Sequence, residues 1–167
     1  MIFQKEKTPI RLTQATLGRI LDWQFTNPND MGSAMAPAAF DTICRHFENT
    51  GTGFDDYDLI VTGDLGTLGK GIVLDFFHKD GVDLQNLDDC GVLIYDAQGQ
   101  DVHCGGSGCG CSAAVLTGFL LNGMREGRWK KILFCGTGAL LSPTSTMQGE
   151  SIPGICHAVA ISTQKGG

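Results

Sequence analysis

The stretch GGSGCGCSAAVLTGFLLNGMR, Gly105 to Arg125, decides the fold. Its first six residues, Gly105-Gly106-Ser107-Gly108-Cys109-Gly110, read as a turn. From about Cys111 to Arg125 the chain reads as a helix of an unusual kind. Ala113, Ala114, Val115, Leu116, Phe119, Leu120 and Leu121 leave it little polar face, so it is expected to be buried nearly all round. Such a helix belongs in the middle of a layered protein.

Downstream, Ile132–Cys135 and Cys156–Ile161 read as strands separated by the polar loop Ser142–Gly154. Upstream, Tyr57–Thr62 (YDLIVT) reads as a buried strand entering a glycine-rich turn, Gly63–Gly71. Ile72, Val73, Phe76 and Phe77 then mark a short amphipathic helix. Residues 80–90 are acidic and loop-like, Val92–Tyr95 is expected to be a short strand, and Val102–Cys104 another. Nearer the start, Arg11–Phe25 has strand character around Ile20 to Phe25, broken by Gly18, and Asn27-Pro28-Asn29-Asp30 is a turn signal. The helix that follows tolerates Pro37 only near its first turn. It carries Phe40, Ile43, Cys44 and Phe47 at helical spacing and ends at Gly51-Thr52-Gly53.

Strands alternating with helices predict an α/β protein whose sheet is largely parallel and covered on both faces. The chain offers only three obvious helices, the all-apolar one among them, which leaves that helix without cover on its outer side. A further layer is therefore expected from a missing half or a partner.

Length sets one domain, residues 1–167, large enough for a real core. Its 24 glycines, about twice the usual share, point to tight turns and close backbone contacts. A formal net charge of −6 argues against a nucleic-acid surface and against polybasic attachment to anionic lipid. An anionic ligand must then be held by local groups. Met1–Pro9 mixes charges with too short an apolar stretch for a signal peptide, and Ala113–Leu121, broken by Thr117 and Gly118, is too short to span a bilayer. The seven cysteines are read as reduced thiols of a soluble, intracellular chain.

Several familiar site patterns fail. A phosphate loop would need four residues between its first glycine and Gly-Lys, then Ser or Thr; position 64 is Asp and position 71 is Gly, so Gly63–Gly71 fails the pattern. A dinucleotide fingerprint would need glycine where Cys111 stands. His103, Cys104, Cys109 and Cys111 are soft donors without zinc-site spacing, so packed thiols are expected and no metal or cofactor. Asp80–Asp89 reads as a solvated acidic loop to which calcium accompanying a ligand could be drawn. The turn at Gly105–Gly110 is the one place suited to an anion. A helix opens there, its first N–H groups are free, and glycine admits close approach. Gly106, Ser107 and Gly108 are candidate binding residues on this ground, with His103 bordering the turn. His157 in the last strand is a further candidate for the cleft at the strand ends, as are Glu150 and Ser151 in the loop before it.

Four segments carry a family resemblance: NDMGSAMAPAA (Asn29–Ala39), DYDLIVTGDLG (Asp56–Gly66), QDVHCGGSGCGCSAA (Gln100–Ala114) and ILFCGTGALLSPTSTMQGESIPGICHAVA (Ile132–Ala160). From about Thr8 onward the chain is similar to the stage V sporulation protein AD family. The resemblance implies a thiolase-like fold of two similar halves in five αβαβα layers. This chain would be the C-terminal half, with a mixed, mostly parallel five-stranded sheet and helices on both faces, and without the N-terminal half. It implies a role in binding dipicolinic acid (pyridine-2,6-dicarboxylate), with calcium as a possible companion, for uptake into the developing spore. The implied partners are the N-terminal half, a second copy in a homodimer, and membrane proteins of the same sporulation group. The implied location is cytoplasmic, peripheral to the spore inner membrane.

Acyl-transferring relatives place a general-base His just after the second strand of this half. Here the turn is Thr62-Gly63-Asp64-Leu65-Gly66, without an imidazole, and Asp64 is carried over as a ligand-binding position. The Gly-Asn-Thr run of type III ketoacyl synthases corresponds to Gly106-Ser107-Gly108, so its amide is absent too. Acid–base work and oxyanion binding both need placed groups, so no catalytic residue is expected. The rival readings are a type III ketoacyl-synthase-like acyltransferase and a scaffold that only joins a complex.

Overall fold

A computed structural model describes residues 8–108 and 110–163. The readings made on Met1–Lys7 and Cys109 lie outside them. In chain order come β1 (Ile10–Leu17), α1 (Met31–Thr50), a 3-10 turn (Phe54–Asp56), β2 (Leu59–Thr62), α2 (Gly66–Lys79), β3 (Leu87–Asp89) and α3 (Cys90–Leu93). A second run follows: α4 (Cys111–Val115), a π turn (Leu116–Leu120), α5 (Leu121–Arg125), β4 (Lys131–Ala139), α6 (Pro143–Met147) and β5 (Gly154–Thr163).

The five strands form one mixed sheet in the order β1-β5-β4-β2-β3. β2 runs parallel to β3 and β4, while β4–β5 and β5–β1 are antiparallel. Helices cover both faces, as the alternation of elements predicts. Because successive strand residues point to opposite faces, Ile60, Leu133 and Ala160 build one core with α1 and α2. Val61, Ile132 and Ile161 build the other with α4, the π turn and α5. β2 and β4 thus enter as apolar runs buried on both sides.

α1 starts earlier than its proline suggests. Asp30 caps it by accepting from Ser33 N (3.0 Å), and Gly51, in the left-handed region at φ 64°, ends it. Pro37 is therefore interior, where it removes a helical hydrogen bond at a cost of about 3 kcal/mol. The backbone around it is closely packed. A Cβ on Gly32 would lie 2.2 Å from Leu65 O, and one on Gly154 would lie 2.5 Å from Ala34 O. The first turns of α1 are wedged between α2 and β5 with nothing larger than hydrogen at either contact.

Other local expectations are corrected. The first strand is Ile10–Leu17, not Ile20–Phe25. At Gly18 a Cβ would lie 1.8 Å from Cys156 O, so the chain crosses hard against β5 and then leaves the sheet. Beyond it only Leu21 bridges back, to Gly154. Gly66, Gly69 and Gly71 belong to α2 rather than to a turn. Strand β3 lies inside the supposed acidic loop. Val92 and Leu93 are helical, because Asp89 caps α3 by accepting from Gly91 N. Val102–Cys104 is a turn, and α6 interrupts the loop 142–154, capped by Ser142 with Pro143 in its first turn.

The 111–125 helix buries Val115, Leu116, Leu120, Leu121 and Met124 on the sheet. Its other face, with Ala113, Ala114, Gly118 and Phe119, is exposed in this chain. No helix among the described residues is long and apolar enough to cross a membrane.

Candidate functional site

The parallel strands β2 and β3 end level with one another, Thr62 opposite Asp89. Asp89 is fully buried. Its carboxylate accepts from Thr62 Oγ1 (2.6 Å), Leu65 N (2.9 Å), Gly66 N (2.9 Å) and Gly91 N (2.9 Å). Burial pushes its pKa above the ordinary carboxylate value, against the downward pull of these four donors. One side chain thus fixes the turn after β2, the start of α2 and the start of α3. Beside it, Lys70 pairs with Asp88 at 2.9 Å.

The turn held by Asp89 presents a second carboxylate, Asp64. Thr137, near the end of β4, donates its hydroxyl to Asp64 Oδ1 (2.9 Å) and accepts from Asp64 N (3.1 Å). Gly63 permits this approach, since a Cβ there would lie 2.6 Å from the Thr137 hydroxyl. From the other side, Ser107 Oγ (3.2 Å) and Gly108 N (3.0 Å) both donate to Asp64 Oδ2. The glycine-rich loop is itself seated by backbone. Gly106 N donates to Gly91 O (2.7 Å), and Cys104 O accepts from Thr67 N (2.8 Å). Gly105 (φ 108°) and Gly91 sit so close that a Cβ on either would meet a carbonyl oxygen at 2.3 Å. The ends of β2, β3 and β4 and the loop before α4 therefore meet around two carboxylates, one buried and one at the rim.

The sequence model of the family described as Stage V sporulation protein AD (SpoVAD) matches residues 1–162. The chain belongs to the SpoVAD family. It is 50% identical over 151 residues to the stage V sporulation protein AD of Bacillus subtilis (strain 168), covering 90% of this chain and 44% of that relative's length. Among solved structures it is similar to the 3-oxoacyl-[acyl-carrier-protein] synthase III of Aquifex aeolicus VF5. That match has a TM-score of 0.42 and 13% identity, and covers 96% of this chain and 55% of the synthase chain.

In this SpoVAD-family chain, some of the candidate residues gather and others stand apart. Asp64, Ser107 and Gly108 meet directly. Gly106 lies just behind them, where a Cβ would come within 2.6 Å of Ile94 and 3.1 Å of Tyr95. His103, at a positive φ of 48°, has its side chain 86% exposed, with Nδ1 3.5 Å from Asp101. His157 is exposed on β5, where its Nδ1 accepts from Gly18 N (3.1 Å). Ser151 donates to Asp22 (2.6 Å), and the exposed Glu150 joins its own loop through a backbone bond to Ser145 O (3.0 Å). His157, Glu150 and Ser151 make no hydrogen bond to the Asp64 cluster.

The donors expected to be free at the glycine turn are engaged, because Asp64 already occupies two of them. Among the described residues, no group of three His, Cys, Asp or Glu side chains could hold a metal ion. Cys90 and Cys111 are buried, and burial raises both thiol pKa values. Cys104 is exposed. Sequence reasoning missed Asp89 and Thr137. A signal for Asp89 was present: Asp-Cys-Gly ahead of Val-Leu is the pattern of a helix cap.

Proposed function

We propose that this chain supplies one wall of a non-catalytic binding site for dipicolinic acid, used to bring that dicarboxylate into the developing spore. Family membership supports the sporulation role. One observation supports the ligand: the loop Gly106–Gly108 together with Thr137 already cradles a carboxylate, that of Asp64, through two hydroxyls and one backbone N–H. These are donors that a pyridine dicarboxylate needs, presented by neutral groups on an acidic chain. The exposed His103 stands on the same loop and can add a ring N–H donor.

The site is completed by an N-terminal thiolase-like half laid on the uncovered face of Ala113, Ala114, Gly118 and Phe119. The paired halves form a homodimer and work beside membrane proteins of the same sporulation group, at the cytoplasmic side of the spore inner membrane. Calcium, where it accompanies the ligand, is drawn to the carboxylates at the rim.

The test places a second carboxylate in the loop. Ser107→Asp in the assembled protein sets a like charge beside Asp64 and the incoming ligand. Calorimetry with dipicolinate should show at least a tenfold loss of affinity relative to wild type. Unchanged affinity in a normally folded variant would place the ligand elsewhere.

A further inference from the structure

The seating of Asp64 has a consequence for how a ligand enters. Its two oxygens take up the hydroxyl of Thr137, the hydroxyl of Ser107 and the N–H of Gly108 at 2.9, 3.2 and 3.0 Å. An aspartate side chain ends in the same group as acetate or as one arm of a dicarboxylate. The nest is therefore built for a carboxylate and filled by the chain's own. The Ser107 and Gly108 contacts are at the surface. Asp64 is joined to neither Lys, Arg nor His within 4 Å, since the ion pairs among the described residues involve Asp41, Asp88, Asp101 and Glu126. Among the described residues hydrogen bonds alone hold it, so it can swing out to water with its charge still solvated. Buried Asp89, with four donors of its own, cannot.

We infer that Asp64 is an exchangeable internal occupant of a carboxylate-binding nest, displaced when an external carboxylate binds. This inference rests on the reading of the site under the proposed function and adds a mode of regulation to it. A tethered competitor lowers apparent affinity by the fraction of time that it leaves the nest empty. Its removal must therefore tighten binding of any carboxylate that uses the nest. A residue that merely contacted the ligand or a bound cation would behave in the opposite way, and its loss would weaken binding.

The experiment uses Asp64→Ala and Asp64→Asn in the chain's native assembly. Acetate serves as the probe, chloride at equal ionic strength as the control, and the amide resonances of Gly108 and Thr137 as the readout. Asp64→Ala empties the nest, so acetate should shift both resonances saturably while chloride does not, and wild type should saturate only at tenfold or more higher acetate. Asp64→Asn keeps the side-chain shape and one acceptor oxygen but loses the charge. It should fall between the two, and it carries the test if the alanine variant does not fold. A variant that saturates no earlier than wild type overturns the inference.

Dipicolinate forms a separate arm. If Asp64→Asn binds it at least tenfold more tightly than wild type, both readings stand. If acetate fills the vacated nest but dipicolinate binds neither protein, the exchange stands and the proposed ligand is wrong. If dipicolinate binds wild type and Asp64→Asn weakens it, the ligand stands and the exchange is overturned.

Discussion

Thr62 and Asp89 face each other across parallel strands, and the hydroxyl of one donates to the carboxylate of the other at 2.6 Å inside the protein. Three backbone N–H groups converge on the same carboxylate. Deleting a buried acceptor leaves each donor to bear its own desolvation, about 1–3 kcal/mol apiece when relaxation is incomplete. Asp89→Ala should therefore cost at least about 3 kcal/mol in urea unfolding and loosen the turn that carries Asp64. A loss below about 1 kcal/mol would mean that water replaces the carboxylate at no great cost.

His46 gives the protein a pH dependence of defined sign. It is fully buried in α1, with Nδ1 2.8 Å from the Thr16 hydroxyl and Nε2 2.7 Å from the Tyr57 hydroxyl. Burial, and secondly the charge of Lys131, hold its pKa below the ordinary value of 6.5. The folded state thus resists a proton that the unfolded state takes up. The stability due to neutral His46 is complete above pH 6.5 and is lost as pH falls below that value toward the folded pKa. Unfolding free energies from urea titrations between pH 8 and 5 should fall with a slope of up to about 1.4 kcal/mol per pH unit. The slope should be shallower in His46→Gln; equal slopes would assign the loss to other groups.

Two glycines of α2 should respond to alanine in opposite directions. A Cβ on Gly69 would lie 2.8–2.9 Å from the backbone of Gly32, which cannot retreat without moving α1. Gly69→Ala should cost about 1–3 kcal/mol by overpacking. Gly71 is helical with nothing within 4 Å of its Cβ position, so Gly71→Ala should gain up to about 1 kcal/mol from helix propensity. Thermal unfolding of the two variants gives the comparison. Equal signs would contradict the packing described between α1 and α2.

Much of this fold could be read from the residues because its central elements are strongly patterned. β2 and β4 are apolar runs in which both neighbours of every buried residue are also covered, and the 111–125 helix declared itself by its apolar content. Reading failed where a single polar contact outweighed propensity. Val92 and Leu93 look like a strand, yet Asp89 caps them into α3. Leu87-Asp88-Asp89 looks like solvated loop, yet it is an edge strand whose last side chain is buried among donors. The candidate site shows the same limit. Asp64 and Ser107 were each visible in the sequence, but 43 positions separate them, and only the folded chain shows that one holds the other. Thr137 carried no signal beyond its place late in a strand.

The outer face of the 111–125 helix predicts association. Ala113, Ala114, Gly118 and Phe119 expose apolar surface that a partner helix or sheet could bury at about 25 cal/mol per Å². The isolated chain should self-associate in light scattering, or bind an N-terminal half when one is supplied. Ala114→Glu should oppose both. A monodisperse wild-type monomer that ignores the other half would contradict the proposed layering.

The most direct test of the account is a calorimetric titration of dipicolinate into the assembled protein, with pyridine-3,5-dicarboxylate as the control. Saturable binding of the 2,6-isomer is expected, with at least tenfold weaker binding of the 3,5-isomer and loss of affinity in Ser107→Asp. Absence of saturable heat with the 2,6-isomer, or equal affinity in a folded Ser107→Asp protein, would contradict it.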